Sequence, residues 1–127
     1  MTVNMSLSRS SGLAETDIHD ILRNDRRRRV LEHLQESVGT VTVRELAETI
    51  AANEANQSPP PRQLRESVYN SLHQTHLPKL DEENVIQYDK HRKTVELRPR
   101  AREVNVYMEV VTRYGITWAD YYRTIAT

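Results

Sequence analysis

The chain has no cysteine, only three glycines and no net charge. Without thiols there is no disulfide staple, thiolate metal site or cysteine nucleophile, and nothing calls for an oxidising compartment. A cytoplasmic setting is therefore expected. Glycines at positions 12, 39 and 115 alone leave no Gly-rich phosphate loop, so nucleotide-binding folds fit poorly. No apolar run exceeds three residues, Val106-Tyr107-Met108 being one, which excludes a membrane-spanning helix and the apolar core of a signal peptide. The sequence also lacks a Gly-x-Ser-x-Gly elbow and a His-Glu-x-x-His pair, and neither catalysis nor a cofactor is expected.

What is present suits one modest core. The chain has 127 residues, 37% hydrophobic and 28% charged, close to the usual size of a single domain. Eighteen basic residues balance eighteen acidic ones, so only their distribution can point to a partner. Fifteen of the basic residues are Arg, which favours planar, bidentate contacts over diffuse attraction.

The opening MTVNMSLSRSSG has no apolar period, so residues 1–13 read as a flexible tail, with order beginning near Ala14. Asp17 to Leu22 can make a short helical turn. Asn24 then caps a longer helix with Val30, Leu31, Leu34 and Val38 at helical spacing, which Gly39 ends. Thr42-Val43-Arg44-Glu45 is a capping box, followed by Leu46, Ala47, Ile50 and Ala51 on one face. Beyond the loop Ala52 to Pro61, where Ser58 can cap, a third long helix carries Leu64, Val68, Leu72 and Leu77. Val85 to Tyr88 and Thr94 to Leu97 read as a β-hairpin. A fourth helix runs from Arg100 to Gly115, and Thr117 caps a last one bearing Trp118, Tyr121, Tyr122 and Ile125.

Three helices followed by a hairpin is the element order of a winged helix-turn-helix: mainly α with a small β-hairpin, here with additional C-terminal helices. The predicted organisation is a winged-helix domain over residues 14–99 and a helical dimerisation extension over 100–127. The stretches Asn24 to Leu31, Val43 to Ala47, Leu72 to Leu80 and Val85 to Asp89 also resemble a family of small haloarchaeal winged-helix proteins, mostly without an assigned function. His76-Leu77-Pro78-Lys79-Leu80 is the most specific of these. The resemblance covers roughly residues 16–98 and implies an archaeal winged-helix fold more firmly than an activity. Charge neutrality and the long loop before the third helix depart from it.

With Leu64, Val68 and Leu72 facing the core, the helical step puts Gln63, Glu66, Asn70 and His73 outside, flanked by Arg62, Tyr69 and Gln74. Gln63 and Asn70 suit adenine edges, Arg62 guanine or phosphate, and Tyr69 can donate to a phosphate. Glu66 counts against base reading unless it pairs with Arg62. Residues 90–102 hold six basic side chains against Glu96 alone, so Lys90, His91, Arg92 and Lys93 are expected on the phosphate backbone of double-stranded DNA. A charged hairpin tip also serves simply to block edge pairing.

Arg26 to Arg29 open a helix, where the dipole disfavours cations, so pairing with Asp17, Asp20 and Asp25 is expected to compensate them. His73, His76 and His91 lack cysteine or carboxylate companions at familiar spacing; no metal is expected, and His76 is read as capping a helix end. Five of the seven aromatics lie in the last 21 residues. The apolar residues of the fourth helix spread over more than one face, which predicts a homodimer packed through Val104, Tyr107, Met108, Val111, Tyr114, Trp118, Tyr121 and Tyr122. The functional expectation is a dimeric winged-helix transcriptional regulator, its third helix in the major groove. The rival is a winged-helix adaptor that binds a protein partner and no DNA.

Overall fold

A computed structural model describes residues 13–124. Residues 1–12 of the expected tail, Ile125 and the side chain of Tyr122 lie outside the described residues, whereas Leu13, read as the end of that tail, packs against the core and donates its amide to Glu103 Oε1 at 2.9 Å. The elements are α1 (Glu15–Leu22), α2 (Asp25–Gln35), β1 (Val41–Thr42), α3 (Val43–Ala55), α4 (Arg62–Ser71), a π-turn (Leu72–His76), α5 (Leu77–Glu82), β2 (Ile86–Asp89), β3 (Thr94–Leu97), α6 (Ala101–Tyr114) and α7 (Trp118–Thr124). The protein is thus mainly helical with one three-stranded antiparallel sheet, ordered β1-β3-β2.

The helix starts follow their caps. The Asn24 side chain accepts from the Arg27 amide at 3.2 Å, and Thr42 Oγ1 from the Glu45 amide at 3.1 Å, each satisfying an amide that has no partner within its helix. Thr117 Oγ1 does the same for Asp120 at 3.0 Å, and Gly115, at a φ of 64°, ends α6 in the left-handed region. The one-faced pattern of α3 is spent as expected: Val43, Leu46, Ala47, Ile50 and Ala51 are all buried. At about 1.5–3 kcal/mol for each fully buried aliphatic side chain, Leu46 and Ile50 alone hold α3 firmly in place.

Three local expectations are corrected. Helix α2 stops at Gln35, so Val38 lies in the following loop and is 99% exposed rather than on an apolar face, while Gly39 takes a φ of 78° there. Ser58 caps nothing: α4 begins after the third proline, at Arg62. Nor does a helix end at His76. The Leu77 amide reaches back five residues to Leu72 O, a π-turn that widens the coil by one residue, and the chain continues into α5 with Pro78 as its second residue.

The sheet is completed by a strand that sequence periodicity does not reveal. Val41 pairs with Val95 and Thr42 with Thr94, so β3 sits between β1 and β2. Two residues carry no period, and only the pairing defines them. Tyr88 and Val95 lie opposite each other in the ladder and both turn into the core.

The C-terminal helices share the one core cluster instead of forming a separate layer. Val104, Met108, Val111 and Tyr121 are buried with Ile18, Ile21 and Leu22 of α1 and with the α2–α5 residues. Tyr121 hydroxyl and His19 Nδ1 are 3.0 Å apart, the Tyr107 ring stands edge-on to the His19 ring, and the Arg28 guanidinium lies 4.4 Å over the Trp118 ring.

Candidate nucleic-acid interface

Helices α3 and α4 pack together and leave between them an open groove of about 700 Å³, lined by Arg44, Ala47, Glu48, Arg62, Arg65, Glu66 and Tyr69. The hairpin tip is tied to the rim of this groove. The Val43 amide donates to Lys93 O at 3.0 Å, which sets the tip next to Arg44, the second residue of α3. His73 Nδ1 and the Tyr88 hydroxyl are 2.6 Å apart, linking the π-turn that follows α4 to strand β2. Burial raises the Tyr88 phenol above its ordinary range, with Tyr69 adding to the shift, so the hydroxyl keeps its proton. Helix α4, the groove and the hairpin tip therefore form one neighbourhood.

The tip itself is a tight, internally bonded turn. Asp89 Oδ1 accepts from the amides of His91 at 3.0 Å and Arg92 at 2.9 Å, and Asp89 O accepts from the Lys93 amide at 2.8 Å. The Arg92 amide first, and then that of His91, hold the Asp89 carboxyl below its ordinary range. Lys93 adopts a φ of 59°, and Lys90, His91 and Arg92 stand exposed. Arg92 Nε remains 3.9 Å from Asp89 Oδ2.

The side chains expected on α4 divide. Gln63, Asn70 and Gln74 are exposed, with their amides available to a base edge. Arg62 is exposed but engages Glu66 at 3.1 Å, the pairing that the sequence allowed. Tyr69 is half-buried against the groove. His73 is half-buried, with Nδ1 2.6 Å from the Tyr88 hydroxyl and its ring near that of Tyr69, so it takes part in the link to the hairpin.

The charge near the hairpin also divides. Lys90, Arg92 and Lys93 cluster at the tip, whereas Arg98, Arg100 and Arg102 follow the far end of β3, roughly 16 Å away at about 3.3 Å per residue. There Arg98 Nε donates to Ile86 O at 3.2 Å and Arg100 precedes α6. The sequence does not single out Arg44, Glu48 or Arg65 for the site. The signal for Arg44 was its place at the second position of the capped helix, exposed by the same period that buries Val43 and Leu46.

The run Arg26 to Arg29 is spent inside the molecule. Arg26 forms a two-pronged pair with Glu54 at 2.7 and 2.9 Å, which raises its pKa further. Arg27 donates to His76 Nδ1 at 3.1 Å and to Asp20 O at 3.2 Å. Arg28 is buried against Leu22 O, Asp25 and Trp118, and Arg29 meets Asp25 at 3.3 Å. Burial, then the positive charges of Arg27 and Arg26, push the His76 imidazole down to about 4, so it stays neutral and accepts from Arg27.

The expected dimer residues are likewise redistributed. Val104, Met108, Val111 and Tyr121 are buried in the chain's own core, and Tyr107 and Trp118 are half-buried against His19 and Arg28. Val104, Met108, Val111 and Tyr121 are corrected to core residues, because α6 and α7 fold back over α1 and α2. Tyr114 alone of the described set stands out in solvent. Among the described residues, no group of three or more His, Cys, Asp or Glu could hold a metal ion, and no helix is long and apolar enough to cross a membrane.

No curated protein and no solved structure matches the chain. A family model described as a domain of unknown function, DUF7344, matches residues 19–96, from α1 through β3 and including the groove and the hairpin tip. The chain belongs to this domain family, DUF7344.

Proposed function

We propose that this protein is a winged-helix DNA-binding protein acting as a transcriptional regulator. In this reading α4 enters the major groove, and the β2–β3 hairpin is the wing on the phosphate backbone. The observation that carries it is the pair of bonds from Val43 to Lys93 and from His73 to Tyr88, which fasten the hairpin to the start of α3 and to the π-turn that follows α4, the two elements that flank the groove. Gln63, Asn70 and Gln74 supply hydrogen-bonding groups for base edges, and Arg44, Lys90, Arg92 and Lys93 supply charge for phosphates. The element order, with β1 closing the sheet on the wing, supports the same fold assignment.

The rival, an adaptor that binds protein and no DNA, draws on the Arg62–Glu66 and Arg65–Glu48 pairs, which neutralise part of the groove. The DNA reading is preferred because the tip lies outside those pairs. The test is titration of a mixed-sequence DNA duplex at two salt concentrations. Four phosphate contacts give a slope of about −3.6, so affinity should fall roughly 150-fold for a fourfold rise in salt. With Arg92→Ala and Lys93→Ala together, the same rise should cost roughly 12-fold. Binding indifferent to salt or to these two substitutions overturns the reading.

A further inference from the structure

Helix α6 turns one face inward, through Ala101, Val104, Met108 and Val111, and leaves a second apolar stripe in solvent. Val106 is 56% exposed, Val110 37% and Tyr114 71%. Their spacing of four residues places them along one line of the helix surface. Together they expose on the order of 300 Å² of apolar surface, a size at which a patch on a monomer commonly has a use. One flank of the stripe carries Glu109 and Arg113, both exposed and of opposite sign.

We infer that this stripe is a self-docking surface, on which α6 packs antiparallel against α6 of a second copy about a two-fold axis near Val110. Two features place the axis within one residue of each other. In an antiparallel two-fold pair, residue numbers facing each other add to twice the number at the axis. Val106 opposite Tyr114 of the second copy, with Val110 opposite itself, places the axis at 110. Glu109 opposite Arg113 of the second copy places it at 111. The two solutions differ by about 1.5 Å of helix rise, which side chains absorb. A parallel pairing sets each level against itself and offers Glu109 no cation. The charges thus complement a second copy of this chain in one orientation, reciprocally and twice per dimer.

The surface differs from one built on Val104, Met108 and Val111, which the core already occupies. It does not depend on the DNA reading, since a lone winged helix can bind one half-site. A pair of helices about 21 Å long falls short of the standard interface of about 1,600 Å², so association should be weak, micromolar or looser.

The experiment is sedimentation equilibrium from about 10 µM to about 1 mM, following the mass from 14.8 kDa toward twice that value. Glu109→Arg alone and Arg113→Glu alone should each weaken association at least tenfold, because each opposes like charges across the axis. The double variant E109R/R113E should restore it to within a few-fold of the parent, which a merely sticky surface would not do. Val110→Asp should abolish it. Circular dichroism checks that each variant keeps its helix content; if Val110→Asp fails to fold, the charge exchange decides. A parent that stays at 14.8 kDa throughout, or single charge reversals that leave association unchanged, would overturn the inference. DNA titration of the same samples reads the other proposal separately.

Discussion

His76 makes the stability of this fold depend on pH in a calculable way. Its ring sits at the junction of α2 and the π-turn, accepts from Arg27 Nε at 3.1 Å, and titrates near 4 in the folded chain against an ordinary 6.5. Because the folded state binds the proton less well than the unfolded state, acid favours unfolding. The contribution is complete above about pH 6.5 and is lost progressively as the pH falls toward 4. Each unit corresponds to about 1.4 kcal/mol, so the shift is equivalent to about 3 kcal/mol, and solvent screening lowers it to about 2. The assay is urea unfolding of the parent and of His76→Asn at intervals from pH 7.5 to 4.5. Asn keeps an acceptor oxygen for Arg27 but cannot be protonated, so the carboxylates common to both proteins cancel in the comparison. The parent should lose about 2 kcal/mol more than the variant over that range, with the divergence beginning near pH 6.5. Curves that stay parallel, or a parent that gains relative stability in acid, would refute the assignment.

Two further perturbations test how the elements are joined. Arg26→Ala should cost about 1 kcal/mol by thermal or urea unfolding, and a double-mutant cycle with Glu54→Ala should return a coupling of about 0.5–1 kcal/mol, since the pair is two-pronged but partly exposed; zero coupling would show that α2 and α3 are joined by packing alone. Tyr88→Phe removes the hydroxyl shared with His73 and should cost about 1 kcal/mol of stability, while weakening DNA binding through a looser wing; unchanged stability and affinity would remove the link from the account.

The parts of the fold legible in sequence are those written locally. Asn24, Thr42, Thr117 and Gly115 act within a few residues of themselves, so their caps and stops fall where the residue types place them. The hairpin was legible for the same reason, its two strands being divided by five polar residues, Asp89 to Lys93. What was not legible is set by distant partners. Arg26 is 28 residues from Glu54 and Arg27 is 49 from His76, so the sequence could state that the arginines needed compensation but not that Glu54 and His76 would provide it. The π-turn leaves no period, and it is the element that carries both His73, which reaches Tyr88, and the buried His76. The aromatic tail was ambiguous for a physical reason: a Tyr that covers its own domain and one that covers a second copy have the same composition, and contacts such as Tyr121 against His19 and Trp118 under Arg28 are needed to distinguish them.

The most direct test of the central claim is a map of amide chemical-shift changes as unlabelled DNA duplex is added to the isotopically labelled protein. The account predicts the largest changes at Arg44, Gln63, Asn70 and Lys90 to Lys93, all around the groove between α3 and α4 and the tip beside it. Changes confined to α6 and α7, or none at saturating duplex and low salt, would contradict it.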